Sequence, residues 1–122
     1  MVGVYTRAAV AKRRKDRGER LQAELNRVRD ILAPRPDIIR IIVFGSFARG
    51  NNTERSDLDV VVVQKTENKF LERLDELYRL ILPKIDLDLL VYTPEEWNDL
   101  LESRSFVQSI EKEGKIIYEK SS

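Results

Sequence analysis

The sequence predicts an α/β sandwich in a single domain. Three short runs, 38–44, 58–63 and 85–92, are rich in Ile, Val and Leu and of strand length. Stretches with apolar residues at helical spacing separate and follow them. The whole spans 122 residues, enough for one core and too few for a second domain.

The elements follow in order. Residues 1–20 carry no apolar stripe beyond alanines, so they form either a helix extending into solvent or a partly ordered lead-in. Leu21, Leu25, Val28 and Leu32 then recur at spacings of four, three and four on one helical face. That helix ends at Ala33, because Pro34 and Pro36 forbid its continuation. The first strand, 38–44, stops at Gly45. Gly50, Asn51, Asn52 and Thr53 are loop formers, and the second strand, 58–63, follows them. Phe70, Leu71, Leu74, Leu77, Tyr78, Ile81 and Leu82 make a wide helical stripe, with Thr66 the expected N-cap and an end near Pro83. The third strand covers 85–92. Thr93-Pro94-Glu95-Glu96 combines a cap, a proline at the first helical position and a glutamate placed for a capping box. Trp97, Leu100 and Leu101 supply the apolar face of that helix. A last helix over about 105–113 closes at Gly114, and 115–119 alternates weakly as an edge strand. The three apolar strands are expected to share one sheet and form its centre.

Composition removes several chemistries. With no cysteine and no histidine, the chain has no disulfides, zinc-finger sites, Cys or Ser/His nucleophile pairs, or imidazole acid/base catalysis. Only hard oxygen ligands remain for a metal. The longest apolar runs are far short of the roughly 18 residues that a membrane span needs, and no apolar segment of signal-peptide type follows the basic N-terminus. No membrane association is expected, and the expected location is cytoplasmic. The net charge of +1 hides an uneven distribution, with +5 over residues 1–33 and −4 over 34–122. This predicts a basic helical extension, 1–33, ahead of an acidic domain, 34–122. The cluster Lys12, Arg13, Arg14, Lys15, Arg17 and Arg20 suits phosphates of a nucleic acid or an acidic partner surface, and equally a solvated helix face. No aromatic residues interleave it, which weighs against single-strand binding.

The chemistry concentrates in Gly45-Ser46-Phe47-Ala48-Arg49-Gly50 and Ser56-Asp57-Leu58-Asp59. A glycine ending a buried strand, with Ser46 and a short helical turn behind it, offers backbone N–H groups and a hydroxyl to an anion such as a triphosphate. Asp57 and Asp59 are two apart on a strand, so their side chains leave one face about 6.5 to 7 Å apart and can converge on divalent ions. Asp86 and Asp88 repeat the arrangement on the third strand, and one of them completes a cluster of three carboxylates if the strands are neighbours. Magnesium suits this donor set, since it takes one or two carboxylates plus phosphate oxygens. Two such ions would stabilise the attacking and leaving oxygens of an in-line displacement at phosphorus. An acceptor hydroxyl would pass its proton to a carboxylate or to a metal-bound hydroxide, with Asp88 the first choice. Each piece alone has an ordinary structural reading as a turn, a cap or a polar strand face. The ordered combination is rare by chance.

Gly45-Ser46, ten intervening residues, Asp57-Leu58-Asp59 and the later Asp88 resemble the signature of the nucleotidyltransferases related to DNA polymerase beta. The longer text GSFARG, SDLDVVV and DLDLLVYTPEEW is similar to the minimal nucleotidyltransferases of bacteria and archaea. The resemblance spans 38–101 and implies a small mixed sheet with helices packed on it, so that 34–122 would be the nucleotidyltransferase domain. It implies that Gly45 and Ser46 hold the nucleotide phosphates, that Asp57 and Asp59 bind two Mg2+ ions, and that Asp88 joins one metal and helps activate the acceptor. Arg49 matches the motif arginine and lies near the phosphates or supports the loop. Asp86 falls outside the usual pattern and leaves the third ligand open between itself and Asp88. The family also implies ATP as substrate, a HEPN-type ribonuclease toxin as partner, and an antitoxin role exercised by AMP transfer to the toxin or by covering it. A small-molecule acceptor gripped by an oligomer is a further alternative. Little chain is left over to hold an acceptor, so a docking partner is expected, with Trp97, Tyr92 or the N-terminal helix as candidate contacts and Trp97 more naturally in the core.

Overall fold

A computed structural model describes residues 6–121. The chain runs α1 (Arg7–Leu32), β1 (Ile38–Phe44), α2 (Gly45–Ala48), β2 (Leu58–Gln64), α3 (Phe70–Ile81), β3 (Leu87–Tyr92), α4 (Pro94–Ser103), α5 (Ser105–Glu113) and β4 (Lys115–Glu119). The strands form one mixed sheet in the order β3-β2-β1-β4. β1 is antiparallel to β2 and β4, while β2 is parallel to β3. The parallel step needs a crossover, which α3 supplies. Among the described residues no helix is long and apolar enough to cross a membrane.

The sheet is covered on both faces, so its central strands read as continuous apolar runs rather than alternating ones. On one face Leu21, Leu25, Val28 and Leu32 of α1 and Leu77 and Ile81 of α3 pack on Ile41, Val60, Val62 and Leu89. On the other, Trp97 of α4 and Val107 and Ile110 of α5 cover Ile42, Val61 and Val63. Each such side chain contributes about 1.5 to 3 kcal/mol by leaving water. Trp97 is only 2% exposed and its indole N–H donates to Glu111 at 3.3 Å, which places it in the core and removes it as a partner contact.

Several boundaries differ from the sequence expectations for local reasons. Residues 7–20 are helical, with the Thr6 hydroxyl accepting from the Ala9 N–H at 3.0 Å; residues 1–5 lie outside the described part. Thr66 is not the N-cap of α3. Its hydroxyl accepts from the N–H of Asn68 at 3.0 Å in a turn, and the helix starts at Phe70 after an extended Lys69. β3 starts at Leu87, two residues late, because Lys84 and Ile85 are spent on the turn after α3. The three apolar strands do share a sheet, yet β3 is an edge strand and β1 and β2 hold the centre.

Side chains fasten β3 where a neighbouring strand is missing. The Tyr78 hydroxyl donates to the Leu87 carbonyl at 2.6 Å and accepts from the Leu89 N–H at 3.1 Å, bridging the backbone on either side of Asp88. Farther along, buried Arg73 donates to the Val91 carbonyl at 3.3 Å and to both carboxylate oxygens of Glu96, at 2.6 and 3.2 Å. That pairing holds the Glu96 carboxyl below its ordinary value. Glu96 also closes the expected capping box on Thr93.

Candidate active site

The end of β1 and the heads of β2 and β3 meet at one end of the sheet. Phe44 is paired with Asp59, and Asp59 with Asp88, so the two carboxylates are direct neighbours on parallel strands. Both share the face that carries Val61 and Leu90, toward α4 and α5. Strand register sets the Asp59 and Asp88 side chains next to each other. Burial, then the neighbouring carboxyl of Asp88 and the charge of Asp57, push the Asp59 carboxyl up to about 6, with the charge of Arg49 opposing them. Such crowding of like charges is what a cation relieves.

Gly45 makes room for this carboxylate. Its φ is +81°, a region costly for residues with a β-carbon, and a β-carbon built there would collide with Asp59 Oδ2 and come within 3.1 Å of Asp59 Cγ. α2 begins at this glycine, and no side chain caps its N-terminus. Ser46 Oγ donates to Ser56 Oγ at 3.1 Å, and Ser56 Oγ accepts from the Thr53 N–H at 2.8 Å. The Gly-Ser turn and the approach to β2 are therefore tied together. Arg49, at the C-cap of α2, is exposed and acts on Asp59 through its charge.

Asp57 is placed differently. It precedes β2, its side chain is 43% exposed, and its nearest cationic partner is Arg17 of α1, with Nη2 at 3.5 Å from Oδ1. Asp86 also precedes its strand and is exposed; its carbonyl accepts from the Leu58 N–H at 3.1 Å. Asp88, not Asp86, is the residue in register with Asp59. Among the described residues no three acidic side chains converge into a finished metal cage. A pair in contact with a third carboxylate nearby is nevertheless an appropriate donor set for magnesium, which binds through one or two carboxylates and takes its other ligands from phosphates and water.

The site is open. A cleft of about 70 Å³, lined by Phe44, Gly45, Arg49 and Phe106 among others, touches the Gly-Ser turn. A wider depression of about 620 Å³ lies against α3 beside Arg35 and Leu80, and none of its lining residues belongs to the carboxylate group.

Two contacts at the site escaped the sequence reading. Tyr78 was legible only as part of an apolar helical stripe, since nothing local shows that its hydroxyl reaches a strand edge. Arg17 sat in a basic cluster that reads as a solvated face. The available signal was Gly18, a poor helix former within a long helix. A β-carbon there would touch Asn52 Oδ1 at 3.4 Å, where α1 comes down on the loop before β2.

Comparison with known proteins agrees with this architecture. Residues 26–122 match the family described as Polymerase beta, Nucleotidyltransferase. Two Methanocaldococcus jannaschii proteins are related, each named a "putative protein adenylyltransferase". One is 32% identical over 82 residues, covering 66% of this chain and 79% of the relative. The other is 34% identical over 68 residues, covering 52% and 68%. Among solved structures, a "putative nucleotidyltransferase" from Sulfolobus solfataricus superposes with a TM-score of 0.65 at 18% identity, over 98% of this chain and 94% of that one. A toxin-antitoxin solved with AMP-PNP gives a TM-score of 0.51 at 24% identity, over 79% and 73%. At these identities the two structures establish the fold. The chain belongs to the polymerase beta nucleotidyltransferase family, and its class of activity is nucleotidyl transfer.

Proposed function

We propose that this protein transfers AMP from ATP to a hydroxyl of a protein partner with the help of Mg2+, and that the partner is a HEPN-type toxin for which it serves as antitoxin. The observation that carries the reading is the Asp59 and Asp88 pair, in register on adjacent parallel strands beside a glycine that admits the Asp59 carboxylate. Gly45 and Ser46 would seat the triphosphate at the start of α2, with Arg49 adding positive charge beside it. Asp57, Asp59 and Asp88 would hold the metal. Bound there, two Mg2+ ions would neutralise phosphate charge and stabilise the entering and departing oxygens of an in-line displacement.

Asp88, exposed at the sheet edge, would accept the proton of the acceptor hydroxyl. The acceptor oxygen bonds to the α-phosphorus as the bond to the pyrophosphate oxygen breaks, leaving AMP on the partner. The exposure of Asp88 and of the Asp57 side chain supports a macromolecular acceptor, which can approach these carboxylates from solvent. The names of the two relatives and the toxin-antitoxin among the structural neighbours point the same way. From Leu21 on, α1 packs on the sheet as part of the transferase core, so the basic extension is the stretch of α1 before it, residues 7–20.

Labelled ATP, incubated with Mg2+, this protein and a candidate HEPN-type partner, should label that partner. The double variant Asp57→Asn, Asp59→Asn should abolish labelling. Undiminished labelling by the variant would place catalysis elsewhere.

A further inference from the structure

We propose that Arg17 is a positioning residue for nucleotidyl transfer, reaching from α1 to hold the Asp57 carboxylate at the head of β2. The inference rests on the active-site reading above and adds to it a residue from outside the region, 26–122, that matches the family.

The guanidinium is hydrogen-bonded to one oxygen and ion-paired with a second. Arg17 Nε donates to the Ser56 carbonyl at 2.9 Å, and Nη2 lies 3.5 Å from Asp57 Oδ1. The Arg17 side chain is 21% exposed, whereas the neighbouring Lys12, Arg13, Arg14 and Lys15 are exposed residues. Anchored on a backbone carbonyl, the guanidinium cannot follow Asp57 if that side chain swings away. It therefore sets where the carboxylate goes. A lysine has one nitrogen and cannot reproduce the two-point grip.

This is more than a lone surface ion pair, which by itself contributes little. Asn52 Nδ2 donates to the Arg14 carbonyl at 3.0 Å, one helical turn before Arg17, so the loop ahead of β2 is docked on the helix at two points. The same loop is joined to the Gly-Ser turn through Ser56 and Ser46. Helix, loop, phosphate seat and Asp57 thus form one connected unit. Without Arg17, Asp57 would be repelled by Asp59 and Asp88 with nothing to oppose the displacement.

The proposal can be separated from a simple charge effect by sign. A guanidinium next to a cation site disfavours the cation, so deleting it as a mere charge should tighten metal binding. Deleting it as a positioning group should loosen binding, because a ligand is no longer presented. Full-length wild type, Arg17→Ala, Arg17→Lys and Asp57→Asn would be titrated with Mn2+ alone, following free Mn2+ by electron paramagnetic resonance, with circular dichroism checking the fold.

Arg17→Ala should bind Mn2+ about tenfold more weakly, within the range seen when a group supporting a metal ligand is lost. Arg17→Lys should keep most of the defect. In the labelling assay kcat should fall by a similar factor while KM for ATP stays within about twofold. Should the alanine variant fail to fold, the lysine variant, which keeps the charge and the stem, carries the same comparison. Mn2+ binding by Arg17→Ala as tight as wild type or tighter would overturn the proposal, as would full rescue by lysine or a rise in KM with kcat unchanged. If Asp57→Asn weakens Mn2+ binding and the Arg17 variants do not, only the role of Arg17 falls. If wild type itself fails to bind Mn2+, the active-site reading falls and takes this inference with it.

Discussion

The tripeptide Asp-Leu-Asp occurs twice, at 57–59 and 86–88, and the two copies end in different surroundings. In both, the leucine enters the core: Leu58 is fully buried and Leu87 nearly so, at 6% exposed. The aspartates diverge. The first copy heads a central strand, where Asp59 lies between the end of β1 and β3, is partly buried and has its carboxyl raised to about 6. The second heads an edge strand, where Asp86 and Asp88 are exposed and the backbone is secured by Tyr78 rather than by another strand. Identical local text thus acquires different chemistry from the number of neighbours its strand has. The leucine is a matter of pattern, and the carboxylates are a matter of strand order.

The largest test of this contrast replaces the two acids of the second copy separately. Asp88→Asn should lower nucleotidyl transfer by more than about 100-fold, beyond the usual cost of disturbing a supporting group. Asp86→Asn should stay within about twofold, as surface substitutions ordinarily do. Steady-state labelling of the partner checks both, and equal losses would erase the distinction between the two acids.

Next in size is Gly45→Ala, which attacks the first copy through its neighbour. The positive φ and the collision with Asp59 should together destabilise the fold by about 2 kcal/mol or more and displace the carboxylate. Urea denaturation measures the first effect and labelling the second. A variant as stable and active as wild type would show that Asp59 does not need the space.

The smallest expected effect concerns pH. In metal-free buffer, native Asp59 keeps its proton up to about pH 6, while the unfolded carboxyl loses it near its ordinary value of 3.8. Between those limits the native state binds more protons than the unfolded state, so this group's contribution to stability falls as pH rises and then levels off above about 6. Acids held low by partners, such as Glu24 beside Arg27 and Glu96 beside Arg73, contribute with the opposite sign and at lower pH. The informative quantity is therefore the melting temperature of wild type minus that of Asp59→Asn, which should decline by a few degrees from pH 4 to 6. A flat difference would mean that Asp59 is not crowded in solution.

Much of this was legible in the chain. The limits of β1 and α5, the capping box at Thr93 and the edge character of 115–119 all depend on signals within a few residues, and they agree with the structure. The Gly-Ser turn and the Asp-x-Asp were visible as candidates for the same reason, because their spacing is written along one strand and one turn. Thr66 misled because a threonine hydroxyl closes a local turn as readily as it caps a helix. Tyr78 and Arg17 were hidden because the atoms they reach are nine or more residues away, at a strand edge and on a loop.

By itself the sequence determined the three apolar strands, the succession of helices from Leu21 on and the family to which the chain belongs. These follow from periodicity, caps and motif spacing, which are properties of neighbours along the chain. Only the tertiary structure decided that Asp88 rather than Asp86 lies beside Asp59, that β3 is an edge, and that a basic helix reaches Asp57. Each of those depends on which strand pairs with which and in what register. Pairing is settled by packing across the whole core, so no segment read alone contains it.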